Sequence, residues 1–178
     1  MKKILAFVAA AVCSMAAWAT NYQGELIVSV NGESAAMDAG IIIVKSEAGY
    51  NLSIKNFKLG AEGIYLPIGN IELNGCAGTD AFGITTINFN DKTVITPGDD
   101  PAYATEEWMG PALGEVPIVM TAKLNDQVLS VSIDIDMMAT IQQVIAVNFV
   151  GSAPAGDING DGDINVSDVT TLINKILQ

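Results

Sequence analysis

From Tyr22 to Gly151 apolar and polar residues alternate in short runs, interrupted by Gly, Asn, Asp and Pro. Alternation of period two puts successive side chains on opposite faces of a half-buried strand. In Gly24–Val30 the residues Leu26, Val28 and Val30 share one face, and Asn31-Gly32 follows as a hairpin dipeptide whose residues tolerate positive φ. Tyr50–Phe57 places Tyr50, Leu52 and Ile54 together. Further strands are predicted over Ile41–Val44, Ile64–Leu73, Ile84–Phe89, Lys92–Thr96, Val116–Leu124, Gln127–Met137 and Gln143–Val150. Asn74-Gly75, Asn90-Asp91 and Asn125-Asp126 supply additional turn signals. No stripe of helical period spans ten residues here, so the class is all-β. Eight or nine such strands argue for an antiparallel barrel or sandwich, and sequential hairpins favour an up-and-down barrel, because neighbours then pair and closure removes exposed edges.

The period changes at the C-terminus. Val169, Leu172, Ile173, Ile176 and Leu177 recur at helical spacing and predict an amphipathic helix. Before it lies Asp157-Ile-Asn159-Gly-Asp161-Gly162-Asp163-Ile164-Asn165-Val-Ser-Asp168. Ca²⁺ takes six to eight oxygen ligands, and a twelve-residue loop presents them from positions 1, 3, 5, 7, 9 and 12. Those positions hold Asp157, Asn159, Asp161, Asp163 (through its carbonyl), Asn165 and Asp168, with Gly162 at the sharp turn. Ile164 is expected to tuck the loop into a small core. The sequence thus predicts a bound calcium ion. Residues 151–156, Gly-Ser-Ala-Pro-Ala-Gly, read as a flexible linker.

At the other end, Lys2 and Lys3 precede an apolar run from Ile4 to Ala17, and Ala17-Trp18-Ala19 is a small-x-small cleavage site. Residues 1–19 are expected to be a signal peptide cut after Ala19, placing the protein outside the cell, in the periplasm or on the cell surface, and not across a membrane. The remaining 159 residues, numbered 20–178, hold six lysines against 20 acidic residues, a net charge near −14. Such a surface suits neither nucleic acid nor an anionic membrane. Cys76 is then the single cysteine, so no intrachain disulfide can form. The chain has no His and no Arg. Ser-His-Asp and Cys-His nucleophile systems, His-ligated zinc and Arg phosphate clamps are thereby excluded, which leaves paired carboxylates as the accessible hydrolytic chemistry.

Two resemblances follow from particular segments. Residues 157–178 resemble a dockerin type I repeat, a calcium-dependent adaptor that docks secreted, mostly carbohydrate-active proteins onto cohesin modules. That resemblance implies a cohesin-like partner read by loop positions 10 and 11, Val166 and Ser167, with help from Lys175 on the helix. Dockerins usually carry two such repeats and this chain has one. The segments Tyr22–Gly32, Asn51–Phe57, Pro67–Leu73, Trp108–Ile118 and Ser132–Met137 resemble bacterial calycin-like barrels over most of residues 20–150. This implies an eight-stranded, up-and-down, lipocalin-like barrel whose interior is either filled by side chains or holds a small apolar ligand. The Gly-x-Trp signature of true lipocalins is absent, since Leu26 follows Gly24-Glu25.

Three functions are compatible with these readings. The first is a non-catalytic exported binding or accessory protein with a calcium-dependent docking tail, in a polysaccharide-utilising system. The second is a glycan hydrolase built on Asp134 and Asp136, which alternation places on one face of a strand, although a plain solvent-facing side accounts for them as well. The third is a purely structural surface protein with a filled barrel. Tyr103, Trp108 and Met109 lie in the Pro-rich stretch from Pro97 to Pro117, where they could stack on a glycan or form a plug over one barrel end. Asp99, Asp100, Glu106 and Glu107 nearby match no calcium spacing and read as a solvated cluster.

Overall fold

A computed structural model describes residues 18–61, 64–125, 127–138, 142–158 and 164–177. Its eight strands are β1 (Trp18–Val30), β2 (Glu33–Ser46), β3 (Gly49–Ala61), β4 (Ile64–Ala81), β5 (Ile84–Val94), β6 (Glu115–Asn125), β7 (Val128–Met137) and β8 (Gln143–Ser152). Each pairs antiparallel with the next, and β8 pairs with β1 to close the barrel. The expected up-and-down topology is therefore observed.

Strand lengths depart from the sequence reading in instructive ways. Asn74-Gly75 is not a turn: β4 runs through it with Gly75 at φ 68°, and the hairpin closes later at Phe82-Gly83. Asn90-Asp91 likewise lies inside β5, which joins two segments read as separate. β2 begins at Glu33, well before Ile41, because Glu33–Gly40 pairs with β1 despite its many small residues. Gly151 and Ser152 belong to β8 rather than to a linker, pairing with β1 on one side and β7 on the other. β1 begins at Trp18, and a cut after Ala19 would remove only its first two residues.

Inward positions alternate strictly along β6 to β8 and fill the lumen with Leu, Ile, Val, Met and Phe. Leu26, Ile41, Leu52, Ile71, Leu73, Ile118, Met120, Leu129 and Phe149 are among the fully buried side chains. Burying each such side chain contributes about 1.5–3 kcal/mol. Up-and-down connectivity places the β1–β2, β3–β4, β5–β6 and β7–β8 connections at one end and the chain termini at the other.

After β8, Ala153 packs on the core and its N–H donates to the Gln127 carbonyl at 2.8 Å. The helix α1 (Val166–Ile176) closes the chain, as its periodicity predicts.

Candidate functional site

The β5–β6 connection, residues 95–114, folds over one barrel mouth. It contains two 3₁₀ turns, Thr105–Glu107 and Gly110–Leu113. Its anchor is Asn56 of β3, which sits at φ 53°. The Asn56 Oδ1 accepts from the Asp99 and Asp100 N–H groups at 2.9 and 3.2 Å, and its Nδ2 donates to Asp99 Oδ1 at 2.8 Å. Lys58 Nζ meets Asp100 Oδ2 at 2.7 Å and lies 4.8 Å from the Tyr103 ring centroid. Tyr103 in turn packs against Trp108 at 5.3 Å. The Lys58 ammonium, with the Ala102 N–H, holds the Asp100 carboxyl below the usual carboxylate range.

Trp108 is only 3% exposed. Gly98 makes room for it, since any Cβ there would collide with the indole and with Asn56. Gly110 serves the same purpose against Ile95 and the Ile68 carbonyl. The plug reading of this loop therefore holds, and Trp108 offers no platform for a sugar. Beneath the plug lies an all-apolar void of about 70 Å³ lined by Phe57, Leu59, Ile68, Ile95, Met109, Leu113 and neighbours. Ligand pockets for small molecules run to several hundred Å³, and an apolar cavity of about 150 Å³ takes one benzene. The void beneath the plug thus has space for no more than a short alkyl group.

Asp134 and Asp136 project from the outer face of β7, both exposed, between the inward Ile133, Ile135 and Met137. Asp136 Oδ1 accepts the Met138 N–H at 2.9 Å, a local turn bond. No cleft embraces the pair among the described residues, so this arrangement does not resemble a glycosidase site. Asp99, Asp100 and Glu107 are engaged in loop hydrogen bonds, and the described residues contain no cluster fit for a metal. Cys76 is fully buried, and burial pushes its thiol up, away from reactivity.

In the tail, Asp157 and Asp168 are 6% and 3% exposed and are the only buried charged residues among those described. Asp168 Oδ1 accepts from the Ile158 N–H and Oδ2 from the Asn165 N–H, both at 2.7 Å. Carboxylates at the first and last positions of the pattern are hard oxygen donors of the kind Ca²⁺ takes. Asn165 caps α1, its Oδ1 accepting from the Ser167 N–H at 2.7 Å. Burial raises the Tyr22 hydroxyl pKa, with the Asp157 carboxylate adding to the shift, which sets the start of the loop near β1. The candidate ligands Asn159, Asp161 and Asp163 lie outside the described residues, as does the Lys175 side chain. Ile164 contradicts its expected role, since it is 64% exposed. Val166 and Ser167 are exposed on the first turn of α1.

The sequence profile of the calycin-like beta-barrel domain matches residues 18–152. The chain belongs to the calycin-like β-barrel family. Among solved structures it resembles a "putative outer membrane protein" from Bacteroides fragilis with a TM-score of 0.53 and 16% identity. The match covers 75% of this chain and 50% of that one, and at this identity it speaks for the fold alone. No curated protein matches the chain. No described helix is long and apolar enough to cross a membrane.

Within this calycin-like barrel, two functional-looking residues escape a reading by periodicity. Asn56 shares the parity of the inward Tyr50, Leu52 and Ile54, and the register shift between Ile54 and Phe57 takes it out of that set. Phe82 is fully exposed at φ 52° in the β4–β5 hairpin, a backbone region unusual for a bulky residue. Its only sequence signal is the following Gly83.

Proposed function

We propose that this protein is an exported, non-catalytic accessory module in which a packed calycin-like barrel carries a calcium-dependent docking tail. One observation carries the reading: the apolar stripe of α1 packs on no core among the described residues. Val169, Leu172, Ile173 and Ile176 are 43–72% exposed, although a lone surface helix normally buries such a stripe. The buried Asp157 and Asp168, which begin and end a complete twelve-residue ligand pattern, support a calcium ion as the element that orders this helix. The partner implied by the dockerin likeness is a cohesin-like module, with Val166, Ser167 and Lys175 at the contact. The filled lumen supports a scaffold role for the barrel over transport of a small apolar ligand. The absence of His and Arg and the open, cleft-free setting of Asp134 and Asp136 support the non-catalytic reading.

Calorimetric titration of Ca²⁺ into the chelator-treated protein should give one site that is lost in Asp157→Ala and Asp168→Ala. Amide exchange in Val166–Ile176 should slow on calcium addition. A titration with no heat and no change in exchange would refute the tail assignment. Release of products from a polysaccharide panel, lost in Asp134→Asn, would instead make the protein a hydrolase.

A further inference from the structure

The barrel wall is open between β2 and β3 at the plugged end. These strands pair only from Ile41↔Ile54 to Ser46↔Gly49. Glu33–Gly40 pairs with β1 alone, and Phe57–Ala61 pairs with β4 alone. The cause lies in β3. Register shifts fall between Ile54 and Lys58, Asn56 takes its left-handed conformation there, and its N–H donates to Asn70 Oδ1 of β4 at 2.9 Å instead of to β2. The Asn56 side chain is meanwhile held by the plug. β3 is thus drawn away from β2 just where the plug is anchored.

The gap is a real space. A cleft of about 370 Å³ runs between Met37–Gly40 and Ile54–Lys58. A second space of about 510 Å³ continues it past Ser34, Ala35 and Leu59. Eight residues of β2 edge span roughly 26 Å at 3.3 Å per residue. Partly buried Met37, Ala39 and Leu59 form its apolar floor, whereas Asp38 and Lys55 stand exposed at its rim.

We propose that this slot binds one extended segment of a partner polypeptide, added as a strand between β2 and β3. Two facing rows of backbone donors and acceptors, unmatched across the gap, form a template that a polypeptide completes on both sides at once. A glycan or an acyl chain offers no matching row. The floor and rim select alternation in the guest, with small apolar residues inward and polar residues outward.

Hydrogen exchange on the free full chain should show fast amides at the alternate residues of Glu33–Gly40 and Phe57–Gly60 that face the slot, beside slow ones in Ile41–Ser46. Random dodecapeptides displayed on phage are then selected against the protein, and the winners are synthesised with and without N-methylation of alternate residues. The expected winners alternate apolar and polar residues and slow exchange at the slot amides. One lost pair of main-chain bonds should cost them about tenfold in affinity on methylation. Slot amides as slow as Ile41–Ser46 in the free protein would overturn the proposal. So would a selection without winners, or winners indifferent to methylation. Protection of the same amides by oligosaccharides or fatty acids, and not by peptides, would make the slot a ligand groove and overturn it as well.

Discussion

Replacing Asn56 should loosen the plug by an amount the structure sets. The side chain makes three hydrogen bonds to Asp99 and Asp100. At about 1 kcal/mol net for each, and with water free to re-solvate the exposed groups, their loss costs roughly 2 kcal/mol. Alanine must in addition hold φ 53°, which costs a residue with a Cβ about 1 kcal/mol more than glycine. Asn56→Ala should therefore lose about 3 kcal/mol and Asn56→Gly about 2 kcal/mol. For a chain of this size the alanine variant's midpoint falls by about 10 °C. Without residues 1–19 the chain keeps Trp108 as its sole tryptophan, so urea unfolding followed by its emission reads plug and barrel together. Thiol labelling of the fully buried Cys76 reads the barrel separately. Trp108 emission should shift at lower urea than Cys76 labelling in both variants. Equal midpoints for Ala and Gly would refute the backbone part of the argument. Wild-type behaviour in both would refute the anchor itself.

Phe82→Asn should stabilise the protein by roughly 0.5–1 kcal/mol, since Asn-Gly suits a turn with two positive φ values and the ring buries nothing; thermal unfolding checks it. Phe149→Ala should cost about 3–5 kcal/mol, because the ring is wholly buried in the lumen; a loss under 1 kcal/mol in urea denaturation would mean the barrel is not packed as described. Lys58 lowers the Asp100 pKa, so this pair stabilises the plug above the unfolded carboxylate value and fails as pH falls through the lower folded value. Trp108 emission should accordingly shift in acid, and Asp100→Asn should abolish that step while leaving neutral-pH emission already displaced.

Period-two alternation located all eight strands because every one has a buried face, and the register of β6 to β8 needs nothing else. Boundaries failed where turn chemistry was judged without its tertiary setting. Asn74-Gly75 satisfies every local rule for a hairpin, but β3 pairs across it and Tyr50 is registered with Cys76, so the chain bulges and continues. Phe82-Gly83, with a weaker local signal, makes the turn because β4 and β5 pair only from Ala77↔Asn88 to Ala81↔Ile84. The same limit hides the slot. Whether Glu33–Gly40 meets β3 depends on where Asn56 sends its N–H, and its acceptor, Asn70, is fourteen residues away.

The two ends of the barrel differ in legibility because their chemistry differs in locality. A calcium loop is a contiguous pattern, since one ion must be reached by donors at fixed spacing along one turn of chain. Asp168 shows why the pattern is economical even apart from the ion: one carboxylate accepts the Ile158 N–H across the loop and the Asn165 N–H at the helix start. It thereby fixes both the loop's closure and the first turn of α1. Asp168→Asn would keep one acceptor oxygen and lose the other bond as well as the charge. The helix and the proposed calcium site are therefore expected to weaken together. Asn165→Ala, which removes only the cap to Ser167, should weaken the helix by about 1 kcal/mol and the cation site less. Unequal effects in that order, read by amide exchange in Val166–Ile176 and by calcium titration, would separate closure by Asp168 from simple helix capping.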